Sequence, residues 1–173
     1  MVRRTKEALF WIIKILKKHN IHYQITGGFA AKIYGSKRSL ADIDIEIHDR
    51  DMKKVLPHVK NYILKGPLRH KDKQFNTYGL FLRYKNQRID VCGSDTQKLF
   101  NKKFSKWEKE KINLKKAIRK KVYGIPVKVV SLKNLIDYKK RISRKVDRID
   151  VKNLTKIIST QPALLFFLWL WLQ

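Results

Sequence analysis

Six residues, Asp42-Ile43-Asp44-Ile45-Glu46-Ile47, alternate strictly between acid and isoleucine. Period two is the signature of a strand with one buried face. The isoleucines point into a core, and Asp42, Asp44 and Glu46 share the opposite face. Carboxylates on alternate residues of a strand lie roughly 6–7 Å apart along the backbone. Like charges that close are costly unless something positive sits between them. A structural pair meets that need with Arg or Lys. A chemical site meets it with a hard cation such as Mg2+, with Mn2+ as the alternative. Glu46 reads as a flanking residue of the same face.

Upstream, His22–Thr26 is expected to form a short strand running into Gly27-Gly28, followed by a short helix over Phe29–Tyr34 that Gly35 stops. Glycine lets the backbone approach a bulky anion, and a helix N-terminus offers free N–H groups. The glycine turn can therefore hold a triphosphate while Asp42 and Asp44 hold its metal. Ser36 can hydrogen-bond a phosphate, and Lys37 and Arg38 can neutralise it. Downstream, Arg88–Cys92 (RIDVC) has the same apolar–Asp–apolar texture. If that strand pairs beside the first, Asp90 becomes a third carboxylate at the same spot, able to bind metal or to activate a hydroxyl.

The remaining chain supplies a scaffold. Ala8, Leu9, Ile12, Ile13 and Leu16 fall on one face of an N-terminal helix, with Lys14, Lys17 and Lys18 largely on another. This reads as a helix packed on a core, with a membrane-surface helix as the alternative. Residues 51–60 look helical. A hairpin is expected from Leu68–Phe75 and Tyr78–Tyr84 around Asn76-Thr77, then a turn at Lys85-Asn86-Gln87. A helical segment is expected over Thr96–Phe100, and a strand pair within 112–130 broken by Gly124 and Pro126. Ser131 is a plausible N-cap for LKNLIDYKKRI. VDRIDVKNLTKII follows as a second helix, with Val146, Ile149, Leu154 and Ile157 near its apolar face. Three parts are expected: 1–130 as the catalytic domain, 131–158 as a helical pair, and 159–173 as an apolar tail.

The tail contains ALLFFLWLWL, ten apolar residues in a row, too few for a membrane span of about 20. It reads as a buried terminal segment, a protein-binding tail, an interfacial anchor or an aberrant terminus. No secretory signal is visible, and the single Cys92 rules out an internal disulfide. No Cys/His cluster suggests zinc. These features point to a cytoplasmic protein. The net charge of +27 is uneven. Residues 1–97 hold 20 Lys and Arg against 9 acids, and the shorter 98–153 holds 20 against 5. That surplus favours a polyanion partner on the second segment, most simply nucleic acid, RNA or tRNA, or nucleotide phosphates.

Gly-Gly, thirteen residues, then Asp-Ile-Asp resembles the signature of nucleotidyltransferases that share the DNA polymerase beta catalytic fold. Stand-alone bacterial enzymes of lincosamide-modifying and AbiEii-toxin type are the nearest in pattern. YGIPVKVVSLKNLIDYKKRISRKVDRIDVKNL is similar to the end of such proteins, where a lysine-bearing helix precedes an Arg-x-x-Asp-x-x-Asp pattern, here Lys139, Arg144, Asp147 and Asp150. The resemblance implies an α/β fold: a small mixed sheet backed by helices, with a C-terminal helical pair. It implies transfer of a nucleoside monophosphate from an NTP to a hydroxyl, releasing pyrophosphate. Asp42, Asp44 and Asp90 would be the catalytic, metal-binding trio. Gly27, Gly28, Ser36, Arg38 and Lys139 would hold the nucleotide. RNA, tRNA or protein is the expected acceptor. An antibiotic acceptor, or a non-catalytic toxin–antitoxin or nucleic-acid-binding role, is the alternative.

Overall fold

The computed structural model describes residues 2–102 and 104–171, with side chains described from Arg3 to Ser159 apart from Lys103. Its order is α1 (Val2–Lys18), β1 (Tyr23–Thr26), α2 (Gly27–Ile33), β2 (Asp42–Ile47), α3 (Met52–Val59), β3 (Ile63–Lys71), β4 (Phe75–Tyr84), β5 (Gln87–Gly93), β6 (Lys98–Asn101), β7 (Lys106–Lys109), β8 (Ile118–Val122), β9 (Ile125–Val129), α4 (Leu132–Ile142) and α5 (Lys145–Trp171). The nine strands form one mixed sheet in the order β7-β6-β4-β5-β2-β1-β9-β8, with β3 on the other edge of β4. The fold is thus α/β with a C-terminal helix pair, as expected.

Register explains the buried layer. β2 runs parallel to β5, pairing Ile43 with Ile89, Ile45 with Val91 and Asp44 with Asp90. Because neighbours across a sheet share a face, the apolar set collects on one side. Ile43, Ile45, Ile47, Ile89 and Val91 have no exposed surface, and neither do Leu9, Ile12 and Leu16 of α1. Each such side chain stabilises the fold by about 1.5–3 kcal/mol through burial. α1 therefore seats its apolar stripe on the core. Among the described residues no helix is long and apolar enough to cross a membrane.

Two tight hairpins follow from the same local chemistry. Lys85-Asn86 and Tyr123-Gly124 each place both central residues at positive φ, the geometry of a two-residue turn matched to strand twist. Pro126 does not break its strand; it lies within β9, opposite Lys121 of the edge strand β8.

Three expectations are corrected. The first hairpin turns at residues 72–74, not at Asn76-Thr77. The Asp72 carboxylate accepts the backbone N–H groups of Gln74 and Phe75 at 2.7 Å each and fixes the reversal there. Thr96–Phe100 is not helical, since Lys98–Asn101 forms β6 against β4 and β7. Cross-strand packing decides this: Phe100 meets Trp107 edge-on at 5.4 Å. In α5, Val146 and Ile149 are exposed, whereas Asp147 and Asp150 are wholly buried beside Leu154. Ion pairing joins apolar packing on that helix's inner face, since Leu154 lies in the core and Ile157 packs against it, as expected. The helix continues past residue 158 to Trp171. Side chains from residue 160 onwards, and the last two residues entirely, lie outside the described residues, and with them the apolar run of the tail.

Candidate active site

β2 and β5 deliver three carboxylates to one cleft. Asp44 and Asp90 are direct register partners, and Asp42 stands beside Arg88. Asp42, Asp44 and Asp90 each offer a carboxylate oxygen, and these oxygens lie within 4.8 Å of one another. The cleft holds about 420 Å3 and is lined by Gly27, Gly28, Arg38, Lys139 and Arg144 as well as by the trio.

The glycine pair is required by contact. Gly27 sits at φ +62°, and a Cβ there would fall 1.9 Å from Asp44 Oδ2. The Gly28 N–H donates to that same oxygen at 3.2 Å. A Cβ on Gly28 would lie 2.3 Å from an Arg38 guanidinium nitrogen. The loop thus packs against the Asp44 carboxylate on one side and the Arg38 cation on the other.

Electrostatics mark the trio as incomplete on its own. Burial pushes the Asp44 carboxyl up to about 8, with the Asp42 and Asp90 charges adding to the rise. Asp42 is raised by burial and then by Asp90, against the pull of Arg88, Arg38 and Arg144. Arg88 grips Asp90 with two hydrogen bonds of 2.7 and 2.8 Å, and among the described residues Asp42 and Asp44 have no comparable partner. Hard oxygen donors crowded this closely, with ionisation opposed by burial and mutual repulsion, suit a divalent cation.

Behind the cleft, a buried charge network joins the helix pair to it. Lys139 Nζ lies 3.0 Å from Asp147 Oδ1 and 2.9 Å from Asp150 Oδ2, all three side chains no more than 2% exposed. Asp150 also receives Arg38 Nε at 3.2 Å and the Ser36 hydroxyl at 2.7 Å. Arg144 donates to Asp147 at 2.7 Å. For Asp147, burial works upward, but the Arg144 and Lys139 hydrogen bonds outweigh it and hold the carboxyl below its usual range. For Asp150, burial is likewise overcome by Lys139, Ser36 and Arg38.

Seven of the eight expected site residues therefore converge: Gly27, Gly28, Arg38, Asp42, Asp44, Asp90 and Lys139 all line the cleft. Lys139 does so with its ammonium already held by two carboxylates. Ser36 does not line it; its hydroxyl is committed to Asp150. Sequence reasoning missed Arg88 as the cation of the site. Its signal is the i, i+2 spacing to Asp90 on one strand face. It also missed that Asp150 holds Arg38, a contact across 112 residues. His48 lies apart, bonded to Asp95 at 2.8 Å. Cys92 lines the cleft, but burial raises its thiol, leaving it protonated.

A second chamber of about 370 Å3 adjoins the first and shares Thr26, Glu46 and Tyr138 with it. Burial lifts the Glu46 carboxyl to about 7, although Gln24 donates to it at 2.6 Å. Opposite, Glu110 is clamped by Arg141 at 2.5 and 2.7 Å. Glu108 and Asp137 also line the chamber, with Lys109, Lys111, Lys116 and Arg141 interspersed among the four acids.

A family model described as aminoglycoside-2''-adenylyltransferase matches residues 8–154. No curated protein matches the chain. Among solved structures, a Thermotoga maritima protein assigned as a nucleotidyltransferase aligns at TM-score 0.61 and 16% identity, over 97% of this chain and 95% of that one. LnuA, a lincosamide antibiotic adenylyltransferase solved with lincomycin, aligns at TM-score 0.59 and 16% identity, over 87% and 96%. ANT(2'')-Ia, solved with adenylyl-2''-tobramycin, aligns at TM-score 0.60 and 13% identity, over 94% and 92%. At these identities the likeness is one of fold.

Proposed function

The chain belongs to the aminoglycoside-2''-adenylyltransferase family of nucleotidyltransferases, and on that footing we propose that it moves a nucleoside monophosphate from an NTP to a hydroxyl of RNA, with a divalent cation held by Asp42, Asp44 and Asp90. The observation that carries this reading is the trio itself, with three carboxylate oxygens within 4.8 Å beside a glycine turn and an anchored arginine.

In the proposed reaction the acceptor oxygen attacks the α-phosphorus, and the bond to the bridging oxygen of pyrophosphate breaks. The proton leaves the acceptor hydroxyl for a carboxylate oxygen of Asp90, which Arg88 holds in place. Gly27 and Gly28 let the triphosphate approach the backbone, and Arg38, fixed by Asp150, meets its charge. Lys139 adds a positive field at Asp44 from the cleft wall. Ser36 acts at one remove, by orienting Asp150. The bound cation supplies neutralisation of the phosphates, with Mg2+ the natural occupant of an oxygen-only donor set.

The RNA acceptor is supported by the net charge of +27. A small cationic acceptor is the second reading. It draws on the adjoining chamber, where Glu46, Glu108, Glu110 and Asp137 gather beside Lys109, Lys111, Lys116 and Arg141. Its relatives LnuA and ANT(2'')-Ia carry antibiotics by their descriptions.

One labelling experiment tests both. The protein is incubated with Mg2+ and each α-32P NTP, in the presence of total RNA, cell protein, tobramycin or lincomycin, beside an Asp42→Ala/Asp44→Ala control. Label should enter RNA, and only with both aspartates intact. Label entering a drug instead would replace the first acceptor reading with the second. Absence of transfer to every acceptor, together with absence of metal-dependent NTP binding, would sink the assignment of the site.

A further inference from the structure

Outside the cleft, the distribution of acids is as informative as that of bases. The chain has no Asp or Glu from Ala8 to Ala41, and none from Lys111 to Ile136. These two stretches are distant in sequence but adjacent in the fold, because β1 pairs parallel with β9 and β9 with the edge strand β8. Where the end of α1 meets β8 and β9, a cleft of about 410 Å3 opens, lined by Lys17, His22, Arg119 and Lys128 among others, with no carboxylate in its wall.

Two observations go beyond a generally lysine-rich surface. Arg119 and Lys128 are direct cross-strand partners, and like charges directly opposite destabilise a sheet. Lys17 reaches the same strand pair, donating from Nζ to the Pro126 carbonyl at 3.0 Å. Lysines on an edge strand do discourage strand pairing with other molecules, which accounts for Lys120 and Lys121 on β8. It does not account for a face-to-face cation pair, nor for the loss of every acid from the neighbouring helix end. Such an arrangement is relieved by a polyanion with closely spaced phosphates.

We propose that the face formed by β8, β9 and the C-terminal end of α1 is a docking surface for the phosphate backbone of RNA, which it leads towards the catalytic cleft. Exposed Arg119 and Lys121 alternate on one face of β8, with half-buried Lys128 opposite Arg119, a row of cations that fits a repeating phosphate chain. The route to the cleft is short. Val129 pairs with Ile25, and Ile25 with Ile45, so Lys128 shares the opposite face of the sheet with Thr26 and Asp44 of the catalytic cleft. Only two strand spacings, roughly 10 Å, separate β9 from β2. The surface rests on the transferase reading only for what the bound RNA is used for.

The test measures binding without chemistry. Fluorescence anisotropy of a labelled 24-nucleotide single-stranded RNA is followed in EDTA, with no NTP, from 50 to 300 mM salt. The surface variant is Arg119→Gln/Lys121→Gln/Lys128→Gln. The charge-matched control is Lys53→Gln/Lys54→Gln/Lys60→Gln, on α3 and the turn that follows it. Both are checked for unchanged melting. For the surface variant, Kd should rise at least tenfold at 100 mM salt, and the slope of log K against log salt should fall by about 2, three phosphate contacts being lost at ~0.7 each. The control should stay within twofold of the parent. Equal losses in both variants, or none in the surface variant, would overturn the proposal. Tighter binding of same-sequence DNA would overturn the RNA assignment, as would a loss confined to phosphatidylserine vesicles. Binding is read here in EDTA with no NTP, so it needs neither the metal nor the transfer reaction that the labelling experiment scores. Failure of the transferase reading is therefore distinguishable from failure of this one.

Discussion

Gly27 carries two constraints at once, a positive φ and a Cβ position 1.9 Å from the Asp44 carboxylate. A side chain there must strain the turn and displace the acid. Gly27→Ala should lower stability by about 1–3 kcal/mol, read by urea denaturation, and should remove nucleotidyl transfer even where the fold survives. Retained activity would show that the turn does not need to hold Asp44. Lys139 is constrained differently. It is the shared cation of Asp147 and Asp150 inside the protein. Removing one member of a buried ionic cluster leaves uncompensated charge, so Lys139→Met should cost about 3–5 kcal/mol. A loss under 1 kcal/mol would mean that Arg38 and Arg144 alone satisfy the two acids.

At the scale of elements, the helix pair α4–α5 is joined to α2 and the Arg38 loop through Asp150 as well as through buried Leu135, Ile136 and Leu154. Both Asp147 and Asp150 titrate below their ordinary value of 3.8 in the folded protein. Their contribution is therefore complete above about pH 5 and is lost as pH falls through the folded values. Hydrogen exchange of α4 and α5 amides should accelerate between pH 5 and pH 3 relative to α1, and Asp150→Asn should remove part of that pH dependence. An identical profile in the variant would contradict this linkage. The same element shows where periodicity misleads. Val146 and Ile149 are the apolar positions of the first turns and are exposed, while the acids beside them are buried. Hydrophobic pattern cannot show that a lysine eight residues upstream of Asp147 folds back to pair with it. β6 and β7 escaped notice for a related reason. Each is four residues long, too short for a period to declare itself.

For the whole molecule, the carboxylate trio opposes its own ionisation through burial and mutual repulsion. Metal binding should raise the melting temperature, since a ligand that binds only the folded state stabilises it by about 2.7 kcal/mol at a hundred times its Kd. The shift should grow from pH 6 to pH 9, as the Asp44 carboxyl, held near 8 in the cation-free protein, loses its competing proton. Thermal melts with Mg2+ or Mn2+ across that range check this, and a shift that persists in Asp42→Asn/Asp44→Asn protein would place the metal elsewhere. The sequence by itself determined the α1 stripe, the β2 alternation, the glycine turn and the identities of the three aspartates, because each rests on residues within one turn or one strand. Tertiary structure alone decided that β5 runs parallel beside β2 in the register that sets Asp90 against Asp44, that Arg88 belongs to the site, and that Asp150 holds Arg38. It also brought two acid-free stretches together on one edge. These contacts join positions far apart in the chain, and local periodicity carries no information about which strands pair or which buried charges meet.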